Sequence, residues 1–397
     1  MLIKLPRRLR ALLKHESTGG ILLMAVTLLA LLCANSPWRG AYQQLWALHA
    51  DIGVGHIRIA KPLLLWINDG LMTVFFLSVG LEIKREFLRG QLRQPAQMLL
   101  PGVAALGGVL VPALIYTACN HGHAAYMPGW AVPTATDIAF ALGVLALLGA
   151  RISPELKTFV MILAVLDDLA AVLIIALFYT DSLSTHSLLL AGFFTLLLCA
   201  LNRLRVRRIG IYMLIGLALW TCVLRSGVHA TLSGVILAMT LPMDAREGRK
   251  SPGDTLLQAL APWTAFFIVP LFAFANAGID LHGLGLHDLL HPVTSGIVLG
   301  LFIGKQVGIV GATWVMVRLG WVRLPARNWR EFHGAAVVCG IGFTMSLFIS
   351  SLAFASLGSG VELADRLGIL LGSLLSAGLG YVLLRQATTA NTFTQRR

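Results

Sequence analysis

The sequence predicts an all-α polytopic membrane protein with about 12 transmembrane helices. Its 397 residues are 57% hydrophobic and 12% charged, whereas soluble domains carry roughly 25% charged residues. Apolar runs bounded by charged residues, proline or glycine recur along the whole chain, and most could cross a hydrocarbon core of about 30 Å. The five cysteines show no metal-ligand spacing, so no disulfide, zinc site or cofactor is expected. This pattern excludes a soluble enzyme.

Positive charge is distributed unevenly among the loops between these runs. The runs fall near residues 18–35, 62–83, 97–118, 125–148, 155–180, 187–201, 209–224, 228–241, 255–276, 293–317, 332–356 and 362–385. With both termini in the cytoplasm, the inner segments hold nearly all of the 31 Lys and Arg residues. The exceptions are Arg39, Arg58, Lys61, Arg225, Lys305 and Arg366. The positive-inside rule therefore predicts cytoplasmic termini and explains the net charge of +13 without a nucleic-acid partner.

Two adjacent acids, Asp167 and Asp168, interrupt the fifth run, which reads PELKTFVMILAVLDDLAAVLIIALFY. A carboxylate at bilayer depth costs at least ~2.5 kcal/mol, so it must face a wet cavity, bind a cation or hold a proton. Neighbouring residues of a helix point in different directions, so the two carboxylates are expected to have different partners. The alternative is a hydrogen-bonded pair that serves only packing. Because intramembrane acids are functional by default, the pair is the first candidate site.

The fourth run contains a signal for an interrupted helix. Pro133 removes a backbone donor and clashes with the preceding turn. Thr134 and Thr136 are suitable caps for a restarted half-helix, and Asp137 would lie in its first turn, where negative charge is favoured. An ordinary proline kink is the alternative.

The eleventh run has a similar weak point at Gly340 and Gly342, although glycines also let membrane helices approach closely. Each interrupted run is the middle of a three-span group, about 97–180 and 293–385. The helices that precede the two groups start on opposite sides of the membrane, which predicts that the groups are inverted repeats. Lys305 lies deep in the tenth run, so it must deprotonate or meet an acid, namely Asp137, Asp167 or Asp168.

The first outer loop and the second span carry further signals. Alternation of residue types over Gly53–Ala60 predicts a small periplasmic β-hairpin, although an unstructured loop is equally compatible. The edge of such a hairpin can pair with a second copy of the chain, which predicts a homodimer.

Glu82 and Arg85 end the second span, where a solvated helix end is the simplest interpretation. His229 could titrate near neutrality, or serve only as a hydrogen-bonding residue.

Six motifs together resemble the bacterial NhaA family of sodium/proton antiporters. They are FFLSVGLEIKRE at 75–86, PTATDIAFALG at 133–143, LAVLDDLAAVLIIALFY at 163–179, PLFAFANAGI at 270–279, GKQVGI at 304–309 and GIGFTMSLFI at 340–349. They follow the family's order over most of the chain. The resemblance implies two inverted three-helix repeats with crossed broken helices.

The resemblance implies roles for individual residues. Asp168 and Asp167 would bind Na⁺ and exchange protons, with Asp168 the more direct ligand and Thr136 beside them. Asp137 and Lys305 would offset the facing dipole ends of the broken helices, and Lys305 would pair with Asp167 when sodium is absent.

The resemblance also implies regulation and organisation. Glu82 and Arg85, with His229 as a modulator, are candidates for pH sensing. The family's acid and histidines before Pro262 are replaced here by Leu257, Gln258 and Ala261. The helices of about 18–83 and 187–276 would form mainly an interface or dimerisation bundle.

The expected function is Na⁺ or Li⁺ extrusion across a bacterial inner membrane in exchange for more than one proton, for sodium and pH homeostasis. Cation and protons would compete for one site, and the exchange would be electrogenic and pH-regulated. Three alternatives stay open: a sodium-coupled symporter of an organic solute, a passive channel, and an intramembrane aspartyl protease with Asp137 and Asp168 as its dyad. The protease would leave Lys305 and the paired helix breaks unexplained.

Overall fold

The predicted all-α architecture is confirmed by a computed structural model, which describes residues 16–54, 57–180, 183–245, 250–282, 284–355, 357 and 359–394. The helices are α1 (Glu16–Ala34), α2 (Arg39–Ala47), α3 (Leu63–Arg89), α4 (Pro95–Cys119), α5 (Ile138–Leu148), α6 (Pro154–Phe178), α7 (Thr185–Arg203), α8 (Ile209–Leu224), α9 (Leu232–Thr240), α10 (Pro252–Asn276), α11 (Leu286–Leu289), α12 (Pro292–Arg318), α13 (Trp329–Val338), α14 (Phe343–Ala353) and α15 (Ser359–Thr394). Three 3₁₀ segments cover Gln91–Arg93, Ala124–Thr134 and Gly149–Arg151.

The described residues contain eight helices that are long and apolar enough to cross a membrane. Two bent pairs raise the number to ten: residues 18–47, bent by 108°, and α13 with α14, bent by 43°. The two remaining predicted runs correspond to shorter helices, α8 with 16 residues and α9 with 9. A helix as short as α9 rises only ~14 Å. It is shorter than predicted because the chain turns before it at Gly227, whose φ is 85°.

The predicted hairpin is confirmed and is longer than the sequence pattern indicated. Strand β1 (His49–Val54) pairs antiparallel with β2 (Ile57–Pro62), and Val54 lies opposite Ile57. The indole nitrogen of Trp66 donates to the carbonyl of Ala50 at 2.9 Å, which ties the hairpin to the start of α3. A two-stranded sheet is marginal alone, so this contact with a helix contributes to its stability.

Backbone contacts divide the chain into two compact units. The first unit comprises Met1–Leu28, Pro95–Ala171 and Ile279–Arg397, and the second comprises Leu29–Gln94 and Val172–Gly278. The first contains most of both groups predicted as repeats, each with a long helix, an interrupted helix and another long helix, and the unit boundary falls within α6 after Ala171. The second is built around a buried apolar cluster that includes Leu81 and Tyr212.

Helices α4 and α12 of the first unit cross at Gly107 and Gly308. A Cβ on either glycine would overlap the carbonyl oxygen of the other. Small residues allow membrane helices to approach this closely, and the crossing brings the side chain of Lys305 beside Gly108. Glycine is therefore required here by the helix contact.

Replacing Gly308 by alanine is expected to lower the free energy of unfolding by about 1–3 kcal/mol, because the added methyl group forces the two backbones apart. Gly311 lies on the same helix, and a Cβ there meets no atom within 4 Å. Gly311→Ala is therefore the matched control. Thermal unfolding in detergent measures both variants, and equal stability of the two would contradict the close crossing.

Candidate functional site

The helix interruptions predicted from sequence occur at both places. Between the 3₁₀ segment that ends at Thr134 and α5, Ala135 and Asp137 have extended backbone. Pro133 lies in the last 3₁₀ turn, where it cannot donate a backbone hydrogen bond. The second interruption, residues 339–342, separates α13 from α14.

Gly340 and Gly342 are needed in the second interruption because neighbouring atoms come very close. A Cβ on Gly340 would overlap the carbonyl oxygen of Leu301, and one on Gly342 would overlap the hydroxyl of Ser346. Added side chains at these positions would therefore displace the segments that cross there.

The two interrupted segments are joined by hydrogen bonds between them. The backbone N–H of Asp137 donates to the carbonyl of Ile341 at 2.7 Å. The hydroxyl of Ser346 donates to the carbonyl of Val132 at 2.7 Å. Backbone groups released by the breaks thus find partners in the opposite segment, as buried polar groups in a membrane must. Both segments belong to the first unit, so the crossing is internal to it.

Asp137 accepts hydrogen bonds from the first turns of two half-helices. Its Oδ1 accepts the N–H of Phe140 at 3.0 Å, in the first turn of α5. Its Oδ2 accepts the N–H of Thr344 at 3.1 Å and the Thr344 hydroxyl at 2.5 Å, in the first turn of α14. Helix N-termini carry partial positive charge, so this one carboxylate is placed to offset both.

The residue that caps α5 differs from the sequence expectation. Asp137 is the N-cap, rather than Thr134 or Thr136. The threonine hydroxyls are already engaged, since Thr134 donates to the carbonyl of Ala131 at 2.8 Å. Thr136 lies within hydrogen-bonding distance of the carbonyl of Cys339, at 2.8 Å, and of Asp167.

Asp167 is the centre of a buried charged cluster. Its Oδ2 lies 2.5 Å from the ammonium nitrogen of Lys305 and 2.6 Å from the hydroxyl oxygen of Thr136. Lys305 is 0% exposed and Asp167 2% exposed, while the adjacent Asp168 is 1% exposed. The other oxygen of Asp167, Oδ1, is buried and receives no hydrogen bond from the described residues. An oxygen of this kind has capacity for one more ligand.

Lys305 follows directly on a π-helical turn, Gly300–Gly304. Such a turn widens the helix and shifts the direction of the residues that follow, and it is frequent at functional sites. A Cβ on Gly304 would come within 2.8 Å of the Cα of Pro112, so α12 lies against α4 here as well. Of the three acids that the sequence offered to Lys305, the structure places Asp167 against it.

The three candidates for pH sensing, Glu82, Arg85 and His229, do not form one cluster. In the second unit, Arg85 lies 3.5 Å from Glu82, and their side chains are 39% and 42% exposed, which makes this a weak surface pair. Lys84 donates to the carbonyls of Met239 and Leu241 at 2.6 Å each, at the end of α9. His229 precedes the start of α9, at the opposite end of that helix. The structure therefore groups Glu82 with Arg85 and leaves His229 apart.

Comparisons with known proteins identify the family of this chain. The profile of the family described as Na⁺/H⁺ antiporter 1 matches residues 10–384. The chain belongs to this family. Similar antiporter-family proteins, each named an Na⁺/H⁺ antiporter NhaA, occur in Pseudomonas fluorescens (53% identical over 377 residues, 95% of each chain) and Syntrophotalea carbinolica (53% over 386 residues, 96% of each). One from Pseudomonas putida is 53% identical over 374 residues, 94% of each chain. The resemblance inferred from the motifs is confirmed.

Sequence reasoning missed two buried acids of this antiporter-family chain, Glu331 and Asp365. Glu331 lies three residues after Asn328, whose side chain caps α13 by accepting the N–H of Glu331 at 2.8 Å. That Asn-x-x-Glu spacing is a recognised signal for a helix start. Glu331 also accepts the N–H groups of Ser153 and Arg327, each at 2.9 Å, and so joins the start of α13 to the start of α6.

Glu331→Ala is expected to lower the free energy of unfolding by roughly 2–5 kcal/mol, because the buried N–H of Ser153 and the partly buried N–H of Arg327 lose a charged acceptor. Glu155, exposed in the first turn of α6, supplies the control Glu155→Ala. Chemical unfolding in detergent compares them, and a Glu331 variant as stable as the control would refute the tie between α6 and α13.

Proposed function

We propose that this protein is a secondary active transporter that expels Na⁺ from the cytoplasm in exchange for external protons. The observation that carries the proposal is the buried ammonium–carboxylate pair of Lys305 and Asp167, next to Asp168 and at the crossing of two interrupted helices. Family membership and the names of the relatives support the same exchange. Li⁺ is a second cargo of the same chemistry, since both ions prefer hard oxygen ligands.

Coupling follows from competition for the same carboxylate oxygens. A sodium ion at Asp167 would bring a second positive charge to the carboxylate that Lys305 now holds, and the buried ammonium would have to share its counter-ion. Lys305 therefore releases a proton or moves away when the cation arrives. The hydroxyl of Thr136 is within reach as a further oxygen ligand. Asp168 supplies the second carboxylate, which has to be ionised to bind a cation and is neutral when it carries a proton.

Two carboxylates, or one carboxylate with Lys305, allow more than one proton to be exchanged for each sodium ion, which would make the exchange electrogenic. Each net charge that crosses the membrane contributes about 2.3 kcal/mol per 100 mV. Inward proton movement down this gradient then drives sodium outward even against a concentration gradient. Asp137 takes no direct part in this scheme, because its two oxygens hold the starts of α5 and α14. That geometry also argues against a protease dyad of Asp137 and Asp168.

The two units have different roles in this proposal. In this proposal the first unit, which holds every ion-site residue named above, is the transport core, and its two three-helix groups are inverted repeats. The second unit, with the hairpin, is mainly the interface bundle of a homodimer, since an exposed strand edge invites pairing. Rocking of one bundle against the other would expose the site alternately.

The proposal also covers regulation by pH and the location in the membrane. Glu82 and Arg85, with His229 as a modulator, would tune activity with pH, although Leu257, Gln258 and Ala261 replace the acid and histidines expected before Pro262. The inner membrane is the expected location, with both termini cytoplasmic. Residues 1–15 and 395–397 at the termini lie outside the described residues.

Purified protein in liposomes tests the exchange directly. The vesicles contain a pH-sensitive dye and carry an imposed proton gradient, and Na⁺, Li⁺, K⁺ or an organic solute is added in turn. Na⁺ and Li⁺ are expected to dissipate the gradient, faster when a membrane potential assists. Solute-dependent sodium uptake would favour the symporter, and sodium flux without proton movement would favour the channel.

A further inference from the structure

Two carboxyl groups buried in the first unit have no part in the scheme above, and their partners differ in kind. Glu331 accepts only backbone N–H groups of the described residues, and those can donate but never accept. Asp365 is 3% exposed, near the beginning of the span Leu363–Ala387, and its Oδ2 accepts the hydroxyl of Ser350. Its Oδ1 accepts the N–H of Arg366 at 2.5 Å.

A serine hydroxyl partner tolerates both charge states of a carboxyl group. When Asp365 is ionised, Ser350 donates to it. When Asp365 carries a proton on Oδ2, it can donate to Ser350, whose own proton turns towards a carbonyl one turn back on α14. Glu331 would lose a hydrogen bond on protonation, whereas Asp365 keeps its contact with Ser350. Of the two acids, Asp365 is therefore the one whose hydrogen bond to a side chain can persist in both charge states.

The position of Asp365 links it to the helix crossing. Ser350 lies on α14, the same half-helix whose Thr344 binds Asp137. Six residues of helix separate Thr344 from Ser350, a rise of ~9 Å. The start of α15 lies on the far side of the membrane from the arginine-rich loop before α13, which is the outer side in the proposed orientation.

We propose that Asp365 is an outer proton-exchanging group, an inference that rests on the proposed antiport. A hydronium ion of the external solution transfers a proton to Oδ2: one O–H bond of the hydronium breaks, a carboxyl O–H bond forms, and a neutral water molecule and a neutral carboxyl group remain. The proton then leaves through water towards the carboxylates at the crossing, and Asp365 becomes ionised again. No bond other than O–H forms or breaks in the cycle.

Several charged or titratable groups lie on Asp365's own helix and on the two helices packed against its start. Glu362 and Arg366 lie on α15 with it, while His287 and Asp288 lie on α11 and His291 precedes α12. Burial, followed by the nearby His287, lowers the pKa of His291, and Asp288 opposes this shift. The variants His287→Gln and His291→Gln separate any histidine contribution to the pH profile from that of the carboxyl group.

Liposomes with a fixed internal pH and a varied external pH test the proposal, with sodium efflux as the measurement. Asp365→Asn keeps a group that can bond to Ser350 but removes the exchangeable proton. We expect a loss of roughly tenfold or more in maximal rate and a flattened external-pH profile, with the internal KM for Na⁺ unchanged. Asp280→Asn, an acid of the outer loop paired with His282 at 2.8 Å, is the control.

Ser350→Ala tests the hydroxyl separately. It is expected to shift the external-pH profile, whereas Ser351→Ala, which removes a hydroxyl bonded to the carbonyl of Phe348 at 2.7 Å, is expected to leave it unchanged. If Asp365→Asn does not fold, Asp365→Glu serves instead, with partial activity and a displaced profile expected. A wild-type external-pH profile in the folded Asp365 and Ser350 variants would overturn the proposal. Absence of Na⁺/H⁺ exchange in the unmodified protein would instead refute the proposed function.

Discussion

Asp168→Asn is expected to abolish Na⁺/H⁺ exchange while leaving the protein folded. Asparagine has nearly the same shape as aspartate but carries neither the negative charge nor the exchangeable proton. A buried cation that loses one carboxylate partner loses about 3–5 kcal/mol of stabilisation, and each 1.4 kcal/mol is roughly a factor of ten in affinity. Exchange at any attainable sodium concentration should therefore fall by two to three orders of magnitude.

The measurement is dissipation of an imposed proton gradient in liposomes, with sodium binding followed in parallel by calorimetry. Glu155→Gln, an exposed acid in the first turn of the same helix, is the control for the loss of one carboxylate. Exchange at the rate of the control would show that the cation site lies elsewhere. A protein that still binds sodium but exchanges slowly would instead assign Asp168 to the proton pathway alone.

Apolar length and isolated charge predicted most of the candidate site. Asp167, Asp168 and Lys305 stand out in the sequence because a charge inside an apolar run is costly. Pro133 and the glycines at 340 and 342 mark the helix interruptions for steric reasons that also follow from residue type. The family motifs then indicated which of the acids would meet Lys305, and the structure places Asp167 there.

Contacts between distant segments account for what the sequence could not predict. Asp137 caps α5 because tertiary contacts engage the Thr136 hydroxyl. Asp365 lies beside Arg366 near a helix start, where an acid usually faces solvent, and only the packing of α14 against α15 shows that it is buried. Local pattern identifies costly residues, but it does not identify the partners that make them tolerable.

Breaking the Lys305–Asp167 pair from either side is expected to have the largest effect on stability. Asp167→Asn leaves an ammonium group with 0% exposure without its counter-ion, and Lys305→Met leaves the carboxylate with Thr136 as its remaining described partner. Removing one partner of a buried pair costs about 3–5 kcal/mol, whereas replacing both with neutral groups of similar size is often nearly neutral.

The double variant Asp167→Asn/Lys305→Met is therefore expected to be more stable than either single variant, by roughly 2–4 kcal/mol. Thermal unfolding in detergent at neutral pH provides the three differences that define the coupling energy. If the single effects simply add, the two groups do not act as a pair, and competition between Na⁺ and the ammonium group for one carboxylate loses its basis. Strong coupling together with absent transport in the double variant would show that the pair is retained for exchange, because stability alone does not require it.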